Sequence, residues 1–183
     1  MSRPAEPAEP AETVHADDPE PRRPVLVAYA TKHGSAAEIC ATISETLREA
    51  GIESDVRSAA DVRTLKPYGA VVLGSGLYSA TWLRDANRFV KLHRKALGRV
   101  PVWLFSSGPL DRSADFDDIP MTPHVLEAVG DLQIRGHRTF GGRLLSDAPE
   151  IAAGIIATHR TGDYRDFDAI RAWARQIAAE LAG

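Results

Sequence analysis

Three short, near-continuous apolar runs rich in β-formers, at residues 25–30, 70–73 and 100–105, constrain this chain more than anything else in it. A strand with one wet face alternates apolar and polar residues, whereas a strand covered on both faces reads as a continuous apolar run. After the first run, Ala36, Ile39, Ile43 and Leu47 recur at helical spacing and Gly51 stands at the stop position. Residues 52–57 alternate as an edge strand does, and Val62 and Leu65 mark a short predicted helix ending at Pro67. The second run leads into Gly74, Ser75 and Gly76 and then a helix predicted from about Trp82 to Leu97. Beyond the third run, Thr122 caps a helix through Val125, Leu126 and Val129, and a strand follows around residues 137–140. Ile170, Trp173, Ile177 and Leu181 outline the last helix. Five strands alternating with helices predict an α/β three-layer sandwich, a parallel sheet covered on both faces. Residues 141–163 fit the alternation least well and read as an insertion.

A chain of 183 residues, 44% apolar, suffices for one core. The first 24 residues hold six prolines and no apolar side chain larger than Val14 after Met1, so residues 1–24 are expected to be a disordered tail and 25–183 the domain. That tail's three basic and six acidic residues account for the whole net charge of −3, which leaves the remainder neutral. A neutral domain offers no basic surface for nucleic acid. No apolar run is long enough for a secretory signal or an integral membrane segment, and a single cysteine suits a reducing compartment, so a cytoplasmic protein is expected. Cys40 falls on the apolar side of its helix and reads as inert packing.

In an open α/β sheet, ligands bind outside the carboxyl ends of the strands where strand order reverses. Three loops share that edge. Thr31, Lys32, His33, Gly34, Ser35 and Ala36 join a buried strand to a helix N-terminus and offer hydroxyls, backbone N–H groups and room at a glycine, as a phosphate requires. Ser75, Gly76, Leu77 and Tyr78 follow the second run; Tyr78 or Trp82 is available to stack on a ring, and Ser106, Ser107 and Gly108 border the other edge. The acidic residues Asp111, Asp115, Asp117 and Asp118 are expected to disfavour a reduced, anionic ring nearby. No G-x-x-x-x-G-K-[ST] or G-x-S-x-G occurs, the dinucleotide fingerprint lacks its third glycine, and the six histidines show no paired metal spacing.

With these loops assembled, residues 25–181 resemble the flavodoxin superfamily, whose phosphate loop of the type [ST]-x-[ST]-G-x-[TA] matches Thr31 to Ala36 except at His33, where the family has a hydroxyl residue. The resemblance implies a sheet of order 2-1-3-4-5 and FMN as cofactor. A closer resemblance, to the branch containing menaquinone-dependent protoporphyrinogen IX dehydrogenases, is carried by Gly74 to Tyr78 with Trp82, by Trp103 to Leu110, by Gly141 to Leu144 and by Gly162 to Asp166. It implies electron transfer with a redox partner protein, or oxidation of a small molecule, porphyrinogen or quinone. The basic insertion of the dehydrogenases is not matched, because Arg160 is the one firm positive charge in residues 146–161. A third reading, a partner-binding module that has lost FMN, stands beside these.

Overall fold

The computed structural model describes residues 22–116, 118–149, 154 and 161–183. The expected tail, apart from residues 22–24, and most of the expected insertion therefore lie outside the described residues. Five strands form the parallel core of the sheet, in the order β2 (Ser54–Ser58), β1 (Val25–Ala30), β3 (Ala70–Tyr78), β5 (Val102–Ser107) and β6 (Gly136–Phe140). This is the expected 2-1-3-4-5 order, with the two-residue β4 (Thr81–Trp82) added as an antiparallel hairpin partner of β3.

Side-chain alternation along the central strands divides the core in two. Leu26, Ala28, Val71, Leu73, Val102 and Leu104 face one side, where α2 (Arg84–Leu97) and, after the one-turn α3 (Ser113–Phe116), α4 (Pro123–Val129) cover them through Phe89, Val90 and Val125. Val25, Val27, Val72, Trp103 and Phe105 face the other, beneath α1 (Ser35–Glu49) and α5 (Phe167–Ala182), which contribute Ile39, Ile43, Ile170 and Ile177. Both faces are dry, which is why these strands carry no polar alternation. Cys40 is fully buried against Ala28, and burial pushes its thiol well above the ordinary value, as inert packing requires.

Two expectations are corrected. The segment through Val62 and Leu65 is not helical. Thr64 Oγ1 accepts from Lys66 N–H and Leu65 C=O accepts from Tyr68 N–H, so local turns satisfy the backbone, and Pro67 disfavours helical geometry just before it. The second correction concerns residues 74–78, read as loop but forming the second half of β3. Its hairpin to β4 turns on Ser79 and Ala80, both with positive φ (50° and 60°), a conformation that non-glycine residues adopt at a cost of about 1–2 kcal/mol each.

Gly74 stands in register with Phe105 on the neighbouring strand. A Cβ on Gly74 would lie 1.9 Å from Phe105 Cζ, so the missing side chain is the space the ring occupies. Phe105 in turn packs with Phe140 and Trp173 at centroid distances of 5.9 and 6.4 Å. Gly74→Ala is therefore expected to destabilise the fold by about 1–3 kcal/mol through overpacking. Urea denaturation measures it, and Phe105→Leu in the same chain should recover part of the loss; an unchanged midpoint for Gly74→Ala would refute the assignment.

Candidate functional site

Because β1, β3 and β5 are parallel neighbours, their carboxyl ends meet at one edge, with Ala30, Ser75 and Ser106 level with one another. A cavity of about 280 Å³ opens there. One wall is Thr31, Ser35 and Ala36 at the start of α1; a second is Gly76, Leu77, Tyr78 and Ser79 on the β3 hairpin; a third is Ser107, Gly108 and Leu110 after β5. Gly142, Arg143 and Leu144 complete it. A larger opening of about 380 Å³ at the start of α5 is lined by ions already matched to one another: Arg112 with Asp115, Arg165 with Asp163 and Arg171 with Asp168. We place the site in the smaller cavity, where the strand ends converge.

The helix end at this cavity is bare. Gly34 is the N-cap residue of α1, with φ 83°, and no side chain caps the first turn, which leaves N–H groups and the positive end of the helix dipole for a ligand. Ser35 Oγ lies 3.3 Å from Ser107 Oγ, which donates to Gly141 C=O, so a chain of hydroxyls ties the first wall to the third.

Two arginines brace the same loop from the far end of the chain. A short antiparallel ladder of β7 (Arg143–Leu144) and β8 (Gly162–Asp163) sets Arg143 opposite Asp163. The Arg165 side chain, only 2% exposed, grips Asp163 through Nε and Nη2, reaches Glu38 Oε2 at 3.0 Å and donates to Ser35 C=O. Arg165 holds the Asp163 carboxyl below the usual carboxylate range, and Asp163 raises the Arg165 guanidinium in return. Arg143 takes the other oxygen of Glu38, Nη1 to Oε1 at 2.7 Å, and donates from Nη2 to His33 C=O at 3.2 Å. Its Nε is buried and, among the described residues, has no hydrogen-bond partner.

Of the residues expected at the site, Thr31, Ser35, Ala36, Gly76, Leu77, Tyr78, Ser107 and Gly108 line the cavity. Gly34, Lys32 and His33 stand beside it: the Lys32 ammonium lies 5.4 Å from the Tyr78 ring centre, and the His33 ring 6.5 Å. Ser75 and Ser106 point to the opposite face of the sheet, where Ser75 Oγ accepts from Leu83 N–H at the start of α2 and Ser106 Oγ accepts from Trp82 Nε1. Trp82 is thus buried in the core and unavailable to stack on a ligand. Of the acidic run, Asp115 pairs with Arg112 and Asp118 with Arg138, Asp111 accepts from Ser113, and none lines the cavity; Asp117 lies outside the described residues. Ser79, Leu110, Gly142, Arg143 and Leu144 were not expected there. Leu110, Gly142, Arg143 and Leu144 nevertheless lie in stretches that carry the closer family resemblance. Among the described residues, no cluster could hold a metal ion, and no helix is long and apolar enough to cross a membrane.

The flavodoxin domain family model matches residues 26–152. The chain is 21% identical over 170 residues to the protoporphyrinogen IX dehydrogenase [quinone] of Escherichia coli K12, covering 84% of this chain and 93% of that one. Among solved structures, a mutant flavodoxin from Pseudomonas aeruginosa superposes with a TM-score of 0.58 at 18% identity, covering 87% of this chain and 99% of that one. The rubredoxin oxygen:oxidoreductase of Desulfovibrio gigas superposes with a TM-score of 0.60 at 15% identity; 88% of this chain is covered, but only 37% of that longer one.

Beneath the site, Ser106 Oγ accepts from Trp82 Nε1 and shares a second hydrogen bond with His137 Nε2, 3.2 Å away. Burial lowers the His137 pKa from 6.5 to about 4, with Asp118 opposing weakly. An unfolded histidine binds its proton at higher pH than this folded one, so the contribution is intact above about pH 6.5 and is lost as pH falls toward 4. The loss is of order 3 kcal/mol. His137→Gln keeps an acceptor for Ser106, and urea midpoints across this range should show a flatter acid dependence; an unchanged slope would acquit His137.

Proposed function

We propose, from the premise that this chain belongs to the flavodoxin domain family, that it binds FMN non-covalently at the carboxyl edge of the sheet and passes electrons to a redox partner in a reducing, cytoplasmic compartment. The observation that supports this most is the convergence of an uncapped helix N-terminus, Thr31 and Ser35 hydroxyls and a largely apolar hairpin wall on one cavity. Bound FMN supplies one- and two-electron chemistry; the protein supplies position and environment. Thr31, Ser35 and the first amides of α1 take the phosphate. Gly76, Leu77 and Tyr78 would hold the ring from one wall and Ser107 and Gly108 from the other, with Leu110 and Leu144 available to exclude water. At about 280 Å³ the cavity lies at the small end of the range for small-molecule sites.

A second reading, an FMN-dependent oxidoreductase acting on a porphyrinogen or a quinone, is favoured by the similarity to the E. coli dehydrogenase along nearly its whole length. Turnover with protoporphyrinogen or a menaquinone analogue separates it from a carrier, which exchanges electrons with a protein partner and shows no such turnover.

The visible absorbance of the purified chain after FMN addition and desalting tests the common core of both readings. A flavin band should stay with the protein. Gly34→Val forces a β-branched residue into left-handed geometry, a strain of about 1–3 kcal/mol that should weaken FMN roughly tenfold or more. No retained flavin would turn the reading toward a partner-binding module.

A further inference from the structure

We infer that Arg143 makes this site prefer a phosphorylated flavin to an unphosphorylated one, by presenting a braced guanidinium to the phosphate; the inference rests on the FMN reading above. Arg143 lines the cavity beside Thr31, Ser35 and Ala36, on the side of the helix N-terminus. Its guanidinium crosses the phosphate loop so closely that a Cβ on Gly34 would lie 3.5 Å from Nη2. Each Nη gives one N–H away, to His33 C=O or to Glu38, and carries a second, and the side chain is 21% exposed. An anionic oxygen in the cavity is a charge-assisted acceptor for those second N–H groups.

The bracing makes this affordable without rearrangement. Glu38 bridges Arg143 to Arg165, and Arg165 is itself locked by Asp163, so the Arg143 head is held in place before a ligand arrives. Glu38 brings a negative charge to the same loop and partly neutralises Arg143, so it opposes the phosphate while it positions the cation. The two side chains should therefore act on FMN affinity in opposite directions, and neither should affect a flavin that has no phosphate.

Flavin fluorescence titrations of the full chain with FMN and with riboflavin test this. Arg143→Gln should weaken FMN by about tenfold or more and leave riboflavin within about twofold. Glu38→Gln should strengthen FMN severalfold, again without moving riboflavin. Equal loss of both ligands in Arg143→Gln, or no loss of either, overturns the assignment. So does a Glu38→Gln variant that weakens FMN as Arg143→Gln does, because Arg143 would then act only by bracing the loop. Should Arg143→Gln lose its far-UV helix signal, Arg143→Lys carries the test: it keeps the charge but not the planar fork, so a smaller, FMN-specific loss is expected, and equal loss of both flavins overturns the assignment. Failure of the unmutated chain to bind FMN would overturn the FMN reading itself.

Discussion

The burial of β1, β3 and β5 on both faces is the constraint on which the rest depends. Central parallel strands have no wet side on which to place a functional group, so chemistry is displaced to their ends. The register then decides what meets there. With Ala30, Ser75 and Ser106 level, and Gly76 opposite Ser107, three chain segments distant in sequence end at one cavity. The same dryness explains Gly74: where two bulky core side chains would collide across neighbouring strands, one must vanish, and Phe105 fills the space.

The site's first wall could not hold itself. A loop that leaves the helix N-terminus uncapped, with Gly34 in left-handed geometry, gives up the usual side-chain bond that fixes such a turn. Glu38, one turn into α1, compensates by joining the helix to Arg143 and Arg165. The β7–β8 ladder exists on only two residue pairs, yet it places both arginines over Glu38 and Ser35. Structure that in a helix cap would be local is here supplied by a crossover more than 100 residues away.

That separation decides what was legible in the sequence. The strands were readable because the apolar runs and helical spacing record burial directly, whereas their order followed from the family resemblance. The walls formed by Thr31 to Ala36 and by Gly76 to Tyr78 were readable as well, because loops at strand ends carry their own glycines and hydroxyls. The facing of Ser75 and Ser106 was not. Each sits in a strand whose alternation sends it to the α2 side, and the reading had ended those strands before reaching them. The non-helical turn through Leu65 and Pro67 was misread because one buried leucine gives the same signal in a turn as in a helix.

Arg143 illustrates the harder limit. Its charge was visible in the sequence, but its meaning depends on Glu38, Asp163 and Arg165 together. A salt bridge exposed to water contributes little on its own. A guanidinium held by two acceptor oxygens, Glu38 Oε1 and His33 C=O, with Glu38 itself tied to Arg165, is different in kind, because the positions of all members are fixed before any ligand enters. Pre-positioned charge costs little further at the moment of binding. The strained hairpin at Ser79 and Ala80 follows the same logic on the opposite wall: conformational cost is stored beside the cavity, where Thr122 Oγ1 donates to Ala80 C=O and holds the turn from outside. Both walls of the site are thus fixed by interactions complete before a ligand enters, which is how a neutral domain with few functional side chains can present a rigid cavity.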